Sequence, residues 1–275
     1  MATLKRRLSL PFVACLAAAC ATVQQSRGDV RLRVATYNIQ AGAGNLAGTI
    51  DAIRVLNADI VGLEEVDSHW SSRSGFADQP AQLSAALGMG VRFAPIYSLP
   101  AASDGQPRRE FGVALLSRYP IVEFRNDTIT RLSTQDSVAG PRPMPGLVDA
   151  VIDVRGQRVR VFVTHLDYRA DPSVRARQSA EMRALIDRSS EPTIVLGDLN
   201  ATPGAAELRP LLERVRDSWP ADSGAGLTYP ANQPAKRIDY VLLSPQLRVI
   251  SESVPGTLAS DHRPVVAELA LIRRP

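Results

Sequence analysis

Residues 193–203, TIVLGDLNATP, are the stretch from which the architecture of this chain can be worked out. The first four residues are rich in β-branched and apolar side chains and predict a buried strand, which the pair Gly197-Asp198 closes with a turn. Asp198 and Asn200 therefore lie two residues apart at the carboxyl end of a strand. Either they bond only to nearby backbone N–H groups, as these residue types often do, or they belong to a site.

Other polar residues follow apolar strands in the same way, and their number favours a site. Strand termini at one edge of packed sheets can converge on a cleft, where a rigid scaffold holds binding residues. One of these residues, Asp239, lies inside a strand rather than after it. The full set of such positions is Asn38, Glu64, Glu65, His165, Asp198, Asn200, Asp239, Asp261 and His262.

The residue types in this set indicate a hard metal ion. Carboxylate and amide oxygens with few histidines favour Mg²⁺ or Mn²⁺ over Zn²⁺. Hydrolysis of a phosphate ester needs charge neutralisation on the phosphoryl oxygens, an activated water and stabilisation of the leaving oxygen. The set contains residue types for all three tasks.

Residues 1–20 have the pattern of an export signal. A basic segment, Lys5-Arg6-Arg7, precedes a short apolar run, and small residues stand before Cys20. Two interpretations stay open: a lipoprotein signal, in which an acylated Cys20 attaches the protein to a membrane, or a plain secretory signal. The expected location is accordingly exported: periplasmic, membrane-anchored or secreted. Both cysteines, Cys15 and Cys20, lie in this leader, so the remaining chain has no disulfide.

The charge of the chain argues against a general nucleic-acid binder. The formal net charge is +4, and removal of the three basic leader residues lowers it to about +1. A protein so close to neutrality lacks the basic surface expected of a non-specific duplex binder. Nucleic acid is therefore a permitted but not a favoured partner.

Alternating strand and helix patterns from residue 30 onward predict one domain over residues 30–273. Helices are expected at 46–56, 79–87 and 172–188, the last capped by Asp171 with its arginines on a solvated face, and another near 205–215. Residues 133–146, with three prolines, predict a long loop. About ten strands and four helices indicate two packed sheets covered by helices.

Six short motifs, in order, resemble those of the endonuclease/exonuclease/phosphatase superfamily, the deoxyribonuclease I-like group. The resemblance runs from about residue 30 to 272 and implies an α+β fold, a four-layer αββα sandwich with its site at one end. The motifs are Thr36-Tyr37-Asn38, Leu63-Glu64-Glu65-Val66, Thr164-His165-Leu166-Asp167, Gly197-Asp198-Leu199-Asn200, Arg237-Ile238-Asp239-Tyr240 and Ser260-Asp261-His262-Arg263-Pro264.

The resemblance also implies a role for each position. Glu65 is the principal metal ligand, with Asn38 and Asp261 completing the metal site, whereas Glu64 replaces the family's glutamine and is structural. Asp198 orients or deprotonates the attacking water. Asn200 bonds to a phosphoryl oxygen. His165 and His262 contact the phosphate, and Asp239 fixes the ring of His262.

Two features place the chain within the superfamily. Gln40 stands where repair endonucleases have an aspartate, which speaks against a second metal there. Arg73-Ser74-Gly75 and Arg109-Glu110-Phe111-Gly112 resemble a secreted bacterial branch of metal-dependent hydrolases. Arg109 is either a ligand for a substrate phosphate or a surface arginine in a loop.

The leading expectation is a monomeric, metal-dependent phosphoric ester hydrolase acting on a phosphodiester outside the cytoplasm, with a phospholipid head group or small diester favoured. One alternative is an extracellular or periplasmic endonuclease on DNA or RNA. An alternative of another class is a non-catalytic surface binding protein on the same fold.

Overall fold

The computed structural model describes residues 30–219 and 223–272. The predicted leader, including Cys15 and Cys20, lies outside the described residues. Within the described ranges, no helix is both long enough and apolar enough to cross a bilayer.

The described residues form two six-stranded sheets. The strands are β1 Val30–Asn38, β2 Ile60–Ser68, β3 Gly90–Leu99, β4 Arg109–Ser117, β5 Ile121–Arg131, β6 Arg142–Val154, β7 Gln157–His165, β8 Thr193–Asp198, β9 Arg216–Asp217, β10 Asp239–Leu243, β11 Leu247–Ser253 and β12 Val265–Leu271. The first sheet has the order β11-β12-β1-β2-β4-β3, and only β1 and β2 are parallel within it. The second has the order β5-β6-β7-β8-β10-β9, and only β7 and β8 are parallel.

Three apolar layers hold the sheets and helices together. Side chains such as Val34 and Leu196 fill the layer between the two sheets, and alternate positions such as Ala35 face outward. The outer face of the first sheet is covered by α1, Leu46–Leu56, and α2, Gln79–Leu87; that of the second is covered by α3, Ser173–Ile186, and α4, Arg209–Leu212. This arrangement confirms the predicted four-layer αββα sandwich.

Local sequence signals explain where the helices begin and end. The side chain of Asn45 accepts a hydrogen bond from Gly48 N at the start of α1, and that of Asp78 accepts one from Ala81 N at the start of α2. Such caps satisfy backbone N–H groups that have no partner within the helix. Helix α2 ends at Gly88, whose φ of 64° is a left-handed conformation that glycine adopts without strain.

Near the predicted site, the two sheets approach each other closely where a side chain is missing. A Cβ atom on Gly62 of β2 would lie 2.8 Å from the Leu196 side chain of β8. Any larger residue would therefore separate the two parallel strand pairs. Glycine at this position lets the carboxyl ends of β2 and β8 come together.

Several element predictions were wrong in detail. The chain after Ala205 forms a three-residue 3₁₀ turn and the short α4, where a helix over 205–215 was expected. Strand β6 begins at Arg142, which pairs with Arg131 of β5. The loop predicted over residues 133–146 therefore ends before residue 142. Arg175, expected on a solvated face of α3, is buried and paired with Glu207.

One partly buried carboxyl group lies outside the set of predicted site residues. Glu252 on β11 has Oε1 2.8 Å from Ser218 Oγ, and its Oε2 has no partner among the described residues. Burial raises the pKa of Glu252 to about 7, with a smaller contribution from Asp217. The folded protein therefore retains a proton on Glu252 more tightly than the unfolded chain, whose pKa is near 4.5.

Glu252→Gln is expected to raise the melting temperature at about pH 8 and to leave it unchanged at about pH 4. The wild type loses stability as the pH rises from 4.5, the pKa of Glu252 in the unfolded chain, through about 7, its pKa in the folded protein. The reason is that ionisation of a buried carboxyl group is unfavourable. After allowance for partial exposure the gain should be on the order of 1 kcal/mol, or a few degrees. Calorimetry at both pH values measures it, and the exposed Glu213→Gln is the matched control. An equal gain at both pH values would contradict this origin.

Candidate active site

The central parallel strands of both sheets deliver polar residues to the same end of the molecule. Asn38 at the end of β1 lies opposite Glu64 of β2, and His165 at the end of β7 lies opposite Asp198 of β8. Asp239, the first residue of β10, pairs with Asp198 from the other side. Strand register alone therefore places His165, Asp198 and Asp239 side by side.

A bulge in β2 separates the roles of the two adjacent glutamates. Between Leu63 and Val66, β2 has one residue more than its partner β4, and Glu65 adopts a φ of 55°. Glu64 points inward, where its Oε1 accepts a hydrogen bond from Thr36 Oγ1 at 2.8 Å. Burial, with the nearby charge of Asp239, holds the pKa of Glu64 well above its usual range. Glu65 is only half-buried and faces the cavity described below.

The Asp198 carboxylate is the most contacted group of the site. Its Oδ2 accepts a hydrogen bond from Asn38 Nδ2 at 3.1 Å and lies 3.5 Å from His165 Nε2 and 3.7 Å from His262 Nε2. Its Oδ1 accepts one from Asn200 N at 2.9 Å. Burial, with the charge of Asp239, raises the pKa of Asp198 to about 6.

His262 is paired with Asp239. Its Nδ1 lies 3.1 Å and 3.0 Å from the two carboxylate oxygens of Asp239, and both residues are buried. Burial alone would lower the pKa of His262, but the hydrogen bond and charge of Asp239 outweigh it and raise the pKa to about 9. The ring of Tyr229 packs at 4.8 Å from the imidazole. His262 is thus a cation at neutral pH, held in one orientation with Nε2 toward Asp198.

Ser260 ties the segment before β12 to β1. Its Oγ donates a hydrogen bond to Asn38 O at 2.7 Å and lies 3.3 Å from Asp261 Oδ1. The backbone oxygen of Asp261 accepts one from Ala231 N at 2.6 Å. These contacts fix Asp261 beside Asn38, although the two are far apart in sequence.

A cavity of about 560 Å³, the main cavity, collects most of the predicted residues: Glu65, His165, Asp198, Asn200, Asp261 and His262 all line it. Asn38 and Asp239 support it from behind through their bonds to Asp198 and His262. Arg109 is the exception, since it is not among the lining residues. Its Nε donates to Pro100 O, which holds the side chain at the edge of the first sheet. The structure therefore does not support the prediction that Arg109 binds a substrate phosphate.

The main cavity is also lined by residues that the sequence did not single out as site residues, among them Tyr168, Arg175, Tyr229 and Lys236. Arg175 is held by Glu207 and by the carbonyl oxygens of Asp167 and Arg169. Lys236 is exposed and forms no ion pair within the described residues. Lysine could have been noticed for its rarity, because the chain has only Lys5 and Lys236.

The donor atoms of the site fit a hard divalent cation. Glu65 and Asp261 face the main cavity, and neither forms an ion pair with a basic side chain within the described ranges. Unpaired carboxylates in one cavity are the ligands that Mg²⁺ and Mn²⁺ prefer. Another possible metal-binding group consists of Asp198, Asp239 and His262. Each of them offers one potential ligand atom, and these atoms all lie within 4.8 Å of one another. In that group, however, both oxygens of Asp239 are already engaged by the His262 ring.

Comparison with known proteins assigns the class. A family model described as the endonuclease/exonuclease/phosphatase family matches residues 35–262. The chain belongs to this family, which supports phosphoesterase activity and, in general, dependence on a divalent metal. The fission yeast (Schizosaccharomyces pombe) protein cwh43 is 30% identical over 196 residues, which are 70% of this chain but 18% of that protein. The chain thus spans less than a fifth of the length of this relative.

Solved structures share the fold. An endonuclease/exonuclease/phosphatase protein from Beutenbergia cavernae superimposes with a TM-score of 0.66 at 23% identity, over 88% of this chain and 72% of that one. The Bacteroides thetaiotaomicron mannosyl-6-phosphatase Bt3783 gives 0.64 at 18% identity, over 86% and 99%. The human Nocturnin catalytic domain, solved with a sulfate anion, gives 0.63 at 20% identity, over 87% and 93%.

The two adjacent glutamates are expected to respond differently to the same isosteric change. Glu65→Gln should lower hydrolysis of a chromogenic phosphate ester at least about 100-fold, because it removes a charge that faces the cavity. Glu64→Gln should stay within about threefold of wild type, since an amide can still accept the Thr36 hydrogen bond. Kinetic assays and the rise in melting temperature on addition of Mg²⁺ measure both effects. Equal loss in the two variants would show that the bulge does not divide their roles.

Proposed function

We propose that the protein is a divalent-metal-dependent phosphodiesterase that acts outside the cytoplasm. The observation that carries this proposal is the position of Asp198. Its carboxylate lies between the imidazoles of His165 and His262 and borders a cavity that Glu65 and Asp261 also line. Such an arrangement combines a proton acceptor, two imidazole groups and ligands for a metal ion around one volume.

Glu65 and Asp261 would hold the metal ion, and the Asn38 amide would orient Glu65. Asn38 Nδ2 donates to Glu65 Oε1 at 3.1 Å as well as to Asp198, which leaves the second oxygen of Glu65 available as a ligand. When bound, Mg²⁺ or Mn²⁺ would neutralise charge on the phosphoryl oxygens.

Asp198 is placed to accept the proton of an attacking water. Both imidazoles and the Asn38 amide surround the Asp198 carboxylate and fix its orientation. A proton taken from water would therefore be received at a defined position. His262 cannot take that proton while it is protonated and paired with Asp239. It instead offers Nε2–H to a phosphoryl oxygen or to the leaving oxygen.

Asn200 and His165 would position the phosphoryl group. Asn200 adopts a φ of 50° at the turn after β8, and its Nδ2 donates to Leu166 O at 3.1 Å. This bond orders the side chain at the wall of the main cavity. His165, at the end of β7, provides a second imidazole next to the same volume.

The charge of the cavity favours a diester over a monoester. Carboxylates predominate among its charged residues, Arg175 is already paired with Glu207, and Lys236 lies at an exposed position. A phosphodiester carries one negative charge at neutral pH, whereas a monoester carries nearly two and needs more cationic partners. The export signal predicted for residues 1–20, and the near-neutral charge expected once it is removed, support a phospholipid head group or a small diester as substrate, with Cys20 either acylated or cleaved away.

The proposal predicts a metal requirement and a substrate order. With a chelator, hydrolysis of bis(p-nitrophenyl) phosphate should fall to background, and Mg²⁺ or Mn²⁺ should restore it. The diester should be turned over faster than p-nitrophenyl phosphate. Parallel assays of sphingomyelin and plasmid DNA separate the lipid from the nucleic-acid substrates. Full activity in chelator would overturn the metal requirement, and plasmid nicking without lipid hydrolysis would assign a nuclease.

Removal of the central groups should abolish turnover while the fold persists. Asp198→Asn and His262→Ala are each expected to lower kcat about 10²- to 10⁴-fold, the usual contribution of a positioned acid or base. His69→Ala is the matched control, because His69 lies in the loop after β2 and bonds to Phe76 O away from the main cavity. Circular dichroism checks folding. Wild-type rates in both site variants would place the chemistry elsewhere.

A further inference from the structure

A second cavity, of about 340 Å³, lies beside the main one. The two cavities share Glu65, His165 and Tyr168 as lining residues. A molecule bound at His165 can therefore extend into the second cavity without leaving the protein surface. Its volume is at the lower end of ligand pockets and suits a single ring.

Aromatic side chains form one wall of the second cavity. Tyr97 and Phe111 are register partners on β3 and β4, and their rings lie 6.3 Å apart and within 20° of parallel. Trp70 packs against both, at 6.1 Å and 5.7 Å. Because each ring is held by the other two, the wall is rigid and presents flat apolar surface beside the reacting group.

Charged residues that line only the second cavity are already engaged. Each of the three guanidinium nitrogens of Arg131 donates to a backbone carbonyl, at 2.8–3.0 Å. Asp167 is paired with Arg169. Arg131 is also buried, so neither Arg131 nor Arg169 is presented as a free ligand for a second phosphate.

A cationic group is disfavoured as well. The guanidinium of Arg73 lies 5.3 Å from the centroid of Phe111, and Asp67 holds it there through two hydrogen bonds. The Phe111 ring is therefore already engaged by a cation and has less attraction left for a quaternary ammonium. An uncharged ring does not depend on that attraction.

One buried donor along this cavity has no acceptor. Gln178 on α3 lines the second cavity and is 1% exposed; its Oε1 accepts from Asp167 N at 2.9 Å, while its Nε2 has no partner among the described residues. An unsatisfied buried N–H is unfavourable, so an oxygen or nitrogen acceptor is expected near it. A hydrocarbon ring would not supply one.

We propose that the second cavity binds one ester arm of the phosphodiester substrate, an uncharged ring that carries hydrogen-bond acceptors, with its face against Tyr97 and Phe111. A sugar or polyol ring and a nucleobase share this chemistry. This inference rests on the proposed function. It adds that the second cavity determines which substrates the protein prefers. The second ester arm then lies in the main cavity.

The test varies one arm and keeps the leaving group constant. Four p-nitrophenyl phosphodiesters are compared in Mg²⁺, in which the other arm is methyl, choline, glucose joined through its 6-oxygen, or thymidine joined through its 5′-oxygen. The wild type should show kcat/KM values for at least one ring-bearing ester about tenfold above those of the methyl and choline esters, the range that aromatic stacking supplies. The better of the two ring arms distinguishes sugar from base.

Phe111→Ala should remove most of that preference, so that kcat/KM for the ring-bearing ester falls toward the value that the same variant shows for the methyl ester. The matched control is Phe124→Ala, since Phe124 is also a half-buried phenylalanine on a strand but lines a separate cavity with Arg125 and Asp149. Tyr97→Leu provides a second variant if Phe111→Ala does not fold.

The outcomes separate the two proposals. Absence of metal-dependent hydrolysis of every diester would overturn the proposed function itself. Hydrolysis without preference for a ring, a preference for choline, or a ring preference that survives both Phe111→Ala and Tyr97→Leu would overturn only the assignment of the second cavity.

Discussion

The hydrogen bond between Asn38 and Asp198 joins the two halves of the molecule at the point where its chemistry is located. Asn38 ends β1 of the first sheet, and Asp198 ends β8 of the second. The sheets are close together near this end, where Gly62 leaves room for the side chain of Leu196. Core packing and site geometry are therefore one constraint, and a change that separates the sheets would also dismantle the site.

Each sheet contributes in the same way, through its single parallel pair. The pair β1–β2 delivers an amide next to glutamates, and the pair β7–β8 delivers an imidazole next to an aspartate. Carboxyl ends of parallel strands lie at a common edge, so two such pairs packed face to face create a cleft with polar groups from both sides. Antiparallel β10 and the segment before β12 then add the Asp239–His262 pair.

The sequence was sufficient for the fold and for the residues at strand ends, because an apolar run that stops at a polar residue is a local signal. Glu65 could be distinguished from Glu64 only by the family resemblance; the cause, one extra residue in β2, depends on pairing with β4 and has no local signature. Arg109 and Arg175 also show what sequence alone does not predict. Arg109 was a candidate for the site and does not line the main cavity, whereas Arg175 was expected to be solvated and does line it. Arginine side chains are long, and their positions are set by tertiary partners: Pro100 holds one away from the cavity and Glu207 holds the other at its wall. The short α4 likewise reflects tertiary packing that overrides helical periodicity.

The scarcity of lysine has a practical consequence for study of this enzyme in solution. Lys236 is the only side-chain amine among the described residues, and it is exposed at the main cavity. Among these side chains, an acylating reagent such as a succinimidyl ester would thus attach a fluorophore only at this cavity, without mutagenesis. The emission of such a probe would report occupancy of the cavity directly, independently of turnover.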